Sequence, residues 1–162
     1  MDNSSSDETL PKIGFRLAPG AVLPKYETAG ASCFDISACI PDELGVIEIK
    51  RGCGAIIPTG LFPVIPENYE LQVRPRSGYA SKQLMLIPNS PATIDADYRG
   101  ELFVTLYNAS AKDVTVSHQQ RIAQGRLCEA PQNPVVEVTA EEYNALPATK
   151  RGAGGFGSTG LK

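Results

Sequence analysis

Tryptophan is absent, histidine occurs once, methionine twice, and basic residues are outnumbered by acidic ones. Each scarcity excludes a class of function. With His118 as the one imidazole, a Ser-His-Asp or Cys-His centre would need it beside a nucleophile, yet it sits in the polar run VSHQQ, which reads as a loop. The four cysteines, Cys33, Cys39, Cys53 and Cys128, form no C-x-x-C pair and have no metal-ligand spacing to His118. Neither a zinc site nor a disulfide scaffold is expected, and the thiols read as buried or half-buried groups in a reducing compartment. Fifteen Lys and Arg against 18 Asp and Glu leave a net charge of −3. That balance argues against a basic face for polymeric nucleic acid, while a few local donors could still hold a small anion. No stretch approaches the length of a membrane span, and MDNSSSDETLP has neither a basic region nor an apolar one. The expectation is a soluble, cytoplasmic protein, or one of the nucleus or host cytoplasm if its source is eukaryotic or viral.

What is abundant is punctuation. Thirteen prolines and 15 glycines separate short runs of period-two alternation: IGFRLA, FDISACI, VIEIK, GAIIP, YELQVRP, ELFVTLYN, DVTVS and VVEV. Many short strands at close spacing predict an all-β sandwich or barrel. Helical signal is scarce. One short helix could begin in SGYASK and another in TAEEYNAL, where Thr139 and Glu142 have capping-box spacing. At 162 residues and 42% hydrophobic content the chain fits one domain with a true core. Residues 1–10 read as a disordered arm, 11–150 as the β domain and 151–162 as a mobile tail.

Several segments could carry chemistry. In RPRSGYASK, Ser77 can cap the next turn of the chain, Gly78 lets backbone approach a ligand closely, and Arg76 offers a bidentate charge, so the segment suits a phosphate. It could equally be an ordinary turn. In NSPATIDADYRGE, Asp95 and Asp97 would face one side if extended, on a predicted hairpin. A turn explains Asp97 and Gly100, whereas Asp95, directly after Ile94, is where partial burial could tune a base. Tyr98 is either core or a flat wall for a ring. Asp35 interrupts an apolar strand between Phe34 and Ile36, either as an outward solvated residue or as a paired or metal-associated carboxylate. Arg121 and Gln124 in RIAQGRL could simply be solvated.

The tail RGAGGFGSTGLK offers backbone donors, hydroxyls and an arginine that could wrap a phosphate chain, although a glycine-rich terminus is often only a linker. It is not a phosphate-binding P-loop, because no Lys precedes the Ser or Thr and no helix can follow.

In order and spacing, these five segments resemble the five motifs of the trimeric deoxyuridine triphosphatase (dUTPase) family, over nearly the whole chain from about Leu10 to Gly160. PRSGYASK, TIDADYRGE and RGAGGFGSTG carry most of the likeness. The resemblance implies an all-β, jelly-roll-like barrel or sandwich subunit with one short helix and a flexible glycine-rich C-terminal arm. It also implies a homotrimer with active sites shared between subunits, and hydrolysis of dUTP to dUMP and pyrophosphate with Mg2+. On that likeness Asp95 matches the carboxylate that activates the attacking water, and Asp35 the one that holds magnesium through its water shell. Arg76, Ser77, Gly78 and Gln124 match phosphate contacts. Asn89, Thr93, Ile94 and Phe103 match positions that read uracil, and Tyr98 the ring that packs under deoxyribose. Arg151, Phe156, Gly157, Ser158 and Thr159 match the tail that closes over the site, the phenylalanine covering the base.

Three positions depart from the family pattern: Ala92 and Cys33 stand where glycine, or for Cys33 glycine or alanine, is usual, and Gly125 follows RIAQ where an apolar residue is common. Two rival readings are a dCTP deaminase of the same fold, which would need an acid/base glutamate at the pyrimidine, and a non-catalytic nucleotide-binding trimer, which retention of Asp95 and the tail disfavours.

Overall fold

The computed structural model describes residues 10–155, which belong to two units, Met1–Pro131 and Gln132–Lys162. In the first, the alternating runs become strands β1 (Gly14–Leu17), β2 (Phe34–Ser37), β3 (Val46–Ile49), β4 (Gly54–Pro58) and β6 (Tyr69–Pro75), while β5 (Leu61–Val64) forms outside those runs. Helix α1 (Ser77–Gln83) follows, then β7 (Met85–Leu86), β8 (Ala92–Ile94), β9 (Phe103–Asn108), β10 (Val114–Ser117) and β11 (Arg121–Glu129). They pair antiparallel in four groups: β1 with β5, β3 with β10, the three-stranded β4-β9-β7, and the four-stranded β2-β11-β6-β8. Small antiparallel sheets closing on one apolar core are the jelly-roll-like arrangement expected.

Alternation sorts the core. Along β9, Val104, Leu106 and Asn108 are buried while Phe103 and Tyr107 are exposed. Ile36, Ile57, Leu61, Leu71, Leu106 and Ile122 lose all contact with solvent. Asn108 is tolerated in this interior because its amide donates to Ile49 O (2.9 Å) and Lys112 O (2.8 Å), and its Oδ1 accepts from Ser110 N–H (3.0 Å) and hydroxyl (2.7 Å). A buried polar group so satisfied costs little and fixes the end of β9.

The glycine at 125 has a packing reason. It pairs with Phe34 across β11 and β2, and a Cβ there would run into the Phe34 ring, with Cζ 2.9 Å and Leu71 Cδ1 3.1 Å away. Phe34 is buried and flanked edge-on by Phe15 and Tyr26, so it cannot swing aside. Gly125→Val is therefore expected to destabilise the fold by about 1–3 kcal/mol through overpacking, a fall of about 2–4 °C in Tm for each kcal/mol. The double variant Phe34→Leu/Gly125→Val should recover part of that loss in a thermal melt. An unchanged Tm for Gly125→Val would show that the ring is free to move. Ala92 is accommodated, half-buried against the core beside Val73.

In the second unit, helix α2 (Ala140–Asn144) forms with the expected capping box: Thr139 Oγ1 accepts from Glu142 N–H (3.2 Å), and the Glu142 carboxylate accepts from Thr139 N–H (2.9 Å). The Thr139 N–H, and then the Thr139 hydroxyl donating to the same carboxylate (2.9 Å), hold the Glu142 carboxyl below its usual range. The described residues thus form two short helices, where the family resemblance implied one. The run VVEV is not a strand: Val135 and Val136 are 99% and 73% exposed and pair with nothing among the described residues. Alternation supplies a strand's pattern, but only a neighbouring edge supplies its hydrogen bonds. No helix of the described residues is long and apolar enough to cross a membrane.

Candidate functional site

Two clefts on the first unit collect most of the residues with candidate roles. The first is a space of about 530 Å³ where β6 runs into α1, lined by Asp35, Arg76, Ser77, Gly78, Arg121 and Gln124. Arg76 is the residue ahead of the helix, in extended conformation, and Ser77 is the first helical residue. The expected Ser77 cap does not form, because Ser77 stands inside the helix and the capping position falls to Arg76, whose side chain makes no capping hydrogen bond. Helical bonding begins with Tyr79 N–H to Arg76 O (3.0 Å), so the Ser77 and Gly78 N–H groups lie ahead of it, turned toward the cleft's end of the helix.

Asp35 is the electrostatic centre. Alternation buries its neighbours Phe34 and Ile36 and leaves its side chain 15% exposed. Its Oδ1 accepts from Arg76 Nε (2.9 Å) and its Oδ2 from Arg121 Nη1 (3.0 Å). Arg121 also reaches Glu27 Oε2 (3.3 Å), and Arg76 Nη1 donates to Arg121 O (3.3 Å). Gln124, opposite Asp35 in the β2-β11 register, donates from Nε2 to Pro75 O (2.8 Å). Three cationic side chains, Arg76, Lys82 and Arg121, against one lining carboxylate make the cleft a receptor for anions. Arg121 is not simply solvated: a register shift between Arg121 and Ala123 turns it onto Asp35, and nothing in the local spacing signals that.

A magnesium ion can be tested against this donor set. No group of three metal-ligating side chains exists among the described residues, and each Asp35 oxygen already accepts a guanidinium. The set does not fit a cation held directly by protein. It would fit Mg2+ brought in with a phosphate ligand, for which Asp35, the one carboxylate lining the cleft, would accept from water.

The second cleft, about 240 Å³, is lined by Thr93, Ile94, Asp95, Tyr98, Glu101 and Phe103. After Ile94 the chain turns, closed by Tyr98 N–H to Asp95 O (3.2 Å), so Asp95 and Asp97 do not lie side by side on an extended strand. Arg99 Nη1 staples the turn by donating to Ala96 O (2.7 Å) and Tyr98 O (3.0 Å). Asp95 is exposed at the lip, and the partial burial expected for it is not supplied within this chain. Strand β8 is an edge, bonded only to β6, so it offers free backbone donors and acceptors. Asn89 sits exposed in the turn before β8, outside the cleft.

The clefts are not adjacent along the sheet. Ile94 pairs with Leu71, and the four further residues of β6 lead to Arg76, which separates Asp95 from Arg76 by about 17–20 Å. Arg151 lies in the second unit, where its Nε donates to Gly154 O (3.1 Å). Phe156, Gly157, Ser158 and Thr159 lie outside the described residues.

His118 and the cysteines lie outside both clefts. His118 lies in a turn and its Nδ1 accepts from Ile40 N–H (3.1 Å), which assigns it a place in the scaffold. Burial, then the Glu101 carboxylate, pushes the Cys39 thiol up from its usual range and makes it a poor nucleophile. Cys33 and Cys128 are half-buried as expected, whereas Cys53 is exposed, standing in the turn before β4.

Known proteins point the same way. A sequence model of the dUTPase family matches residues 20–160. The chain is 48% identical over 139 residues to the deoxyuridine 5'-triphosphate nucleotidohydrolase of Caulobacter vibrioides, covering 86% of each. It is 43% identical over 157 residues to the enzyme of the same name from Brucella melitensis, covering 97% of this chain and 96% of that one. Among solved structures, a variant dUTPase of Staphylococcus bacteriophage 80alpha with dUpNHpp superposes with a TM-score of 0.78 at 21% identity, covering 93% of this chain and 99% of that. A variant dUTPase from phage phi11 of S. aureus, solved for the coordination of a structural Mg(II) ion, has a TM-score of 0.68 at 19% identity over 78% of this chain and 96% of that. At those identities the structures support the fold.

Proposed function

The chain belongs to the dUTPase family, and on that premise we propose that it hydrolyses dUTP to dUMP and pyrophosphate, limiting uracil in DNA and supplying dUMP for thymidylate synthesis. The observation that carries the site assignment is the turn after β8, which brings Thr93, Ile94, Asp95, Tyr98 and Phe103 around one cleft at a free strand edge. The edge backbone of β8, with Phe103, reads uracil, because donors and acceptors fixed for one pyrimidine are left unpaired by another. Asn89 joins them from the preceding turn. Tyr98 stands under the deoxyribose and leaves no room for a 2′-hydroxyl.

Asp95 accepts a proton from the attacking water as its oxygen bonds to the α-phosphorus and the bond to the bridging oxygen breaks, releasing pyrophosphate. Its exposure at the lip leaves it open to water until a nucleotide covers it. Arg76, Ser77, Gly78 and Gln124 hold phosphate oxygens, the guanidinium as a fork and the backbone as point donors. Mg2+, when bound with the triphosphate, supplies charge neutralisation, and Asp35 holds it through water. Arg151, Ser158 and Thr159 bind the γ-phosphate end, with Gly157 giving the backbone freedom and Phe156 stacking on uracil. The 151–162 segment acts as a lid.

A base at Asp95 and phosphate donors at Arg76 cannot serve one nucleotide across about 17–20 Å of the same sheet. We propose a homotrimer in which one copy supplies the Asp95 cleft and another the Arg76 cleft. The sheet face with exposed Ile56, Leu86, Phe103 and Tyr107 offers apolar surface for such an assembly. The bacterial relatives support a cytoplasmic setting.

The test is pyrophosphate release with Mg2+ from dUTP, dCTP, dTTP and UTP. Selective release from dUTP is expected. Ammonia release from dCTP would establish the deaminase reading, and no turnover in a folded trimer would establish the binding scaffold.

A further inference from the structure

The wall that meets the sugar is held in place by its neighbours in the chain, Gly100 and Glu101. Tyr98 is 40% exposed, so packing alone does not fix its ring. Two features do. The ring lies over the α-carbon of Gly100: a Cβ there would stand 2.5 Å from Tyr98 Oη and 2.6 Å from Cζ. The hydroxyl donates to Glu101 O (2.7 Å).

That carbonyl is itself anchored. The Glu101 carboxylate accepts from Gly60 N–H (2.8 Å) at the β4-β5 turn, and the next residue, Leu102, donates its N–H to Leu61 O (2.7 Å) while its carbonyl accepts from the buried Thr59 hydroxyl. The turn is closely packed against its surroundings. Gly60 has φ +65°, and a Cβ on it would meet Ala21 Cβ at 2.8 Å and Cys39 Sγ at 3.0 Å.

We infer that Gly100 and Glu101 are positioning residues for sugar specificity: Gly100 leaves the space in which the Tyr98 ring lies flat, and Glu101 ties the carbonyl that holds its hydroxyl to the β4-β5 turn. The inference rests on the reading of Tyr98 as the deoxyribose wall. At Gly100 the atoms in the way are the far end of a side chain and not backbone, so a methyl group there displaces the tyrosine before it disturbs the fold. At Glu101, truncation leaves the Gly60 N–H without its partner and frees the carbonyl segment to shift.

The experiment measures the ratio of kcat/KM for dUTP to that for UTP in the full chain with Mg2+, alongside Tm, for Gly100→Ala, Glu101→Ala, Glu101→Gln and Tyr98→Ala. Gly100→Ala and Glu101→Ala are expected to lower the ratio by roughly tenfold or more, the scale of discrimination that steric fit provides. Glu101→Gln keeps an oxygen acceptor for Gly60 N–H and should stay close to the unmodified ratio. A merely structural role would lower Tm and slow both nucleotides together, leaving the ratio in place. If Tyr98→Ala collapses the ratio while Gly100→Ala and Glu101→Ala hold it within about twofold, the positioning role is overturned and the wall survives. If Tyr98→Ala itself holds the ratio, the wall is overturned and the inference with it.

Discussion

Asp95→Asn is expected to lower kcat for dUTP by about 10²–10⁴-fold, the range lost with a general base, while KM changes by no more than a few-fold. The substitution keeps shape and polarity at the cleft lip and removes only the ability to accept a proton from water. Because Asp95 is exposed and lies outside the core, the variant should melt with the unmodified chain. Steady-state pyrophosphate release together with nucleotide binding by calorimetry separates the two effects. A kcat within about threefold of the unmodified chain would mean that the water is activated by another group, and the assignment of the cleft would have to move with it.

The second large effect is expected at Arg76. Arg76→Ala removes a forked donor to phosphate and one of the two guanidinium partners of Asp35, so kcat/KM should fall by about 10–100-fold, the scale of a charge-assisted hydrogen bond. Arg76→Lys should recover little, since an ammonium group cannot both hold Asp35 Oδ1 and present a planar fork. The informative step is to mix the two impaired variants. If a site takes Asp95 from one copy and Arg76 from another, co-refolding equal amounts of Asp95→Asn and Arg76→Ala chains restores about one site in four. A site built within one chain restores none. Sedimentation of each variant as three subunits guards against a trivial loss of assembly.

Much of this molecule was legible in the amino-acid order. Period-two runs located β1–β4, β6, β9 and β10 because a residue's parity decides whether it meets the core or water, as Val104, Leu106 and Val116 show by being buried between more accessible neighbours, whereas β5, β7, β8 and the nine-residue β11 lie outside those runs. The α2 capping box was legible because its partners are three residues apart. Where the sequence misled, the missing fact was a distant one. VVEV has a strand's pattern but no edge among the described residues, and Ser77 has a cap's chemistry but stands one residue inside the helix.

The sequence by itself determined the family, the strand pattern and the presence of the reactive carboxylates, since motifs and alternation are local properties of chain order. Tertiary structure alone decided that Asp35 is shared by Arg76 and Arg121, that Gly125 makes room for Phe34, that Gly100 makes room for Tyr98, and that Asp95 and Arg76 lie at different clefts of one subunit. Those facts depend on register, a strand irregularity and the direction of a turn. Such features are set largely by packing between segments far apart in the chain, as the Arg76–Asp35 and Arg121–Asp35 separations of 41 and 86 residues illustrate.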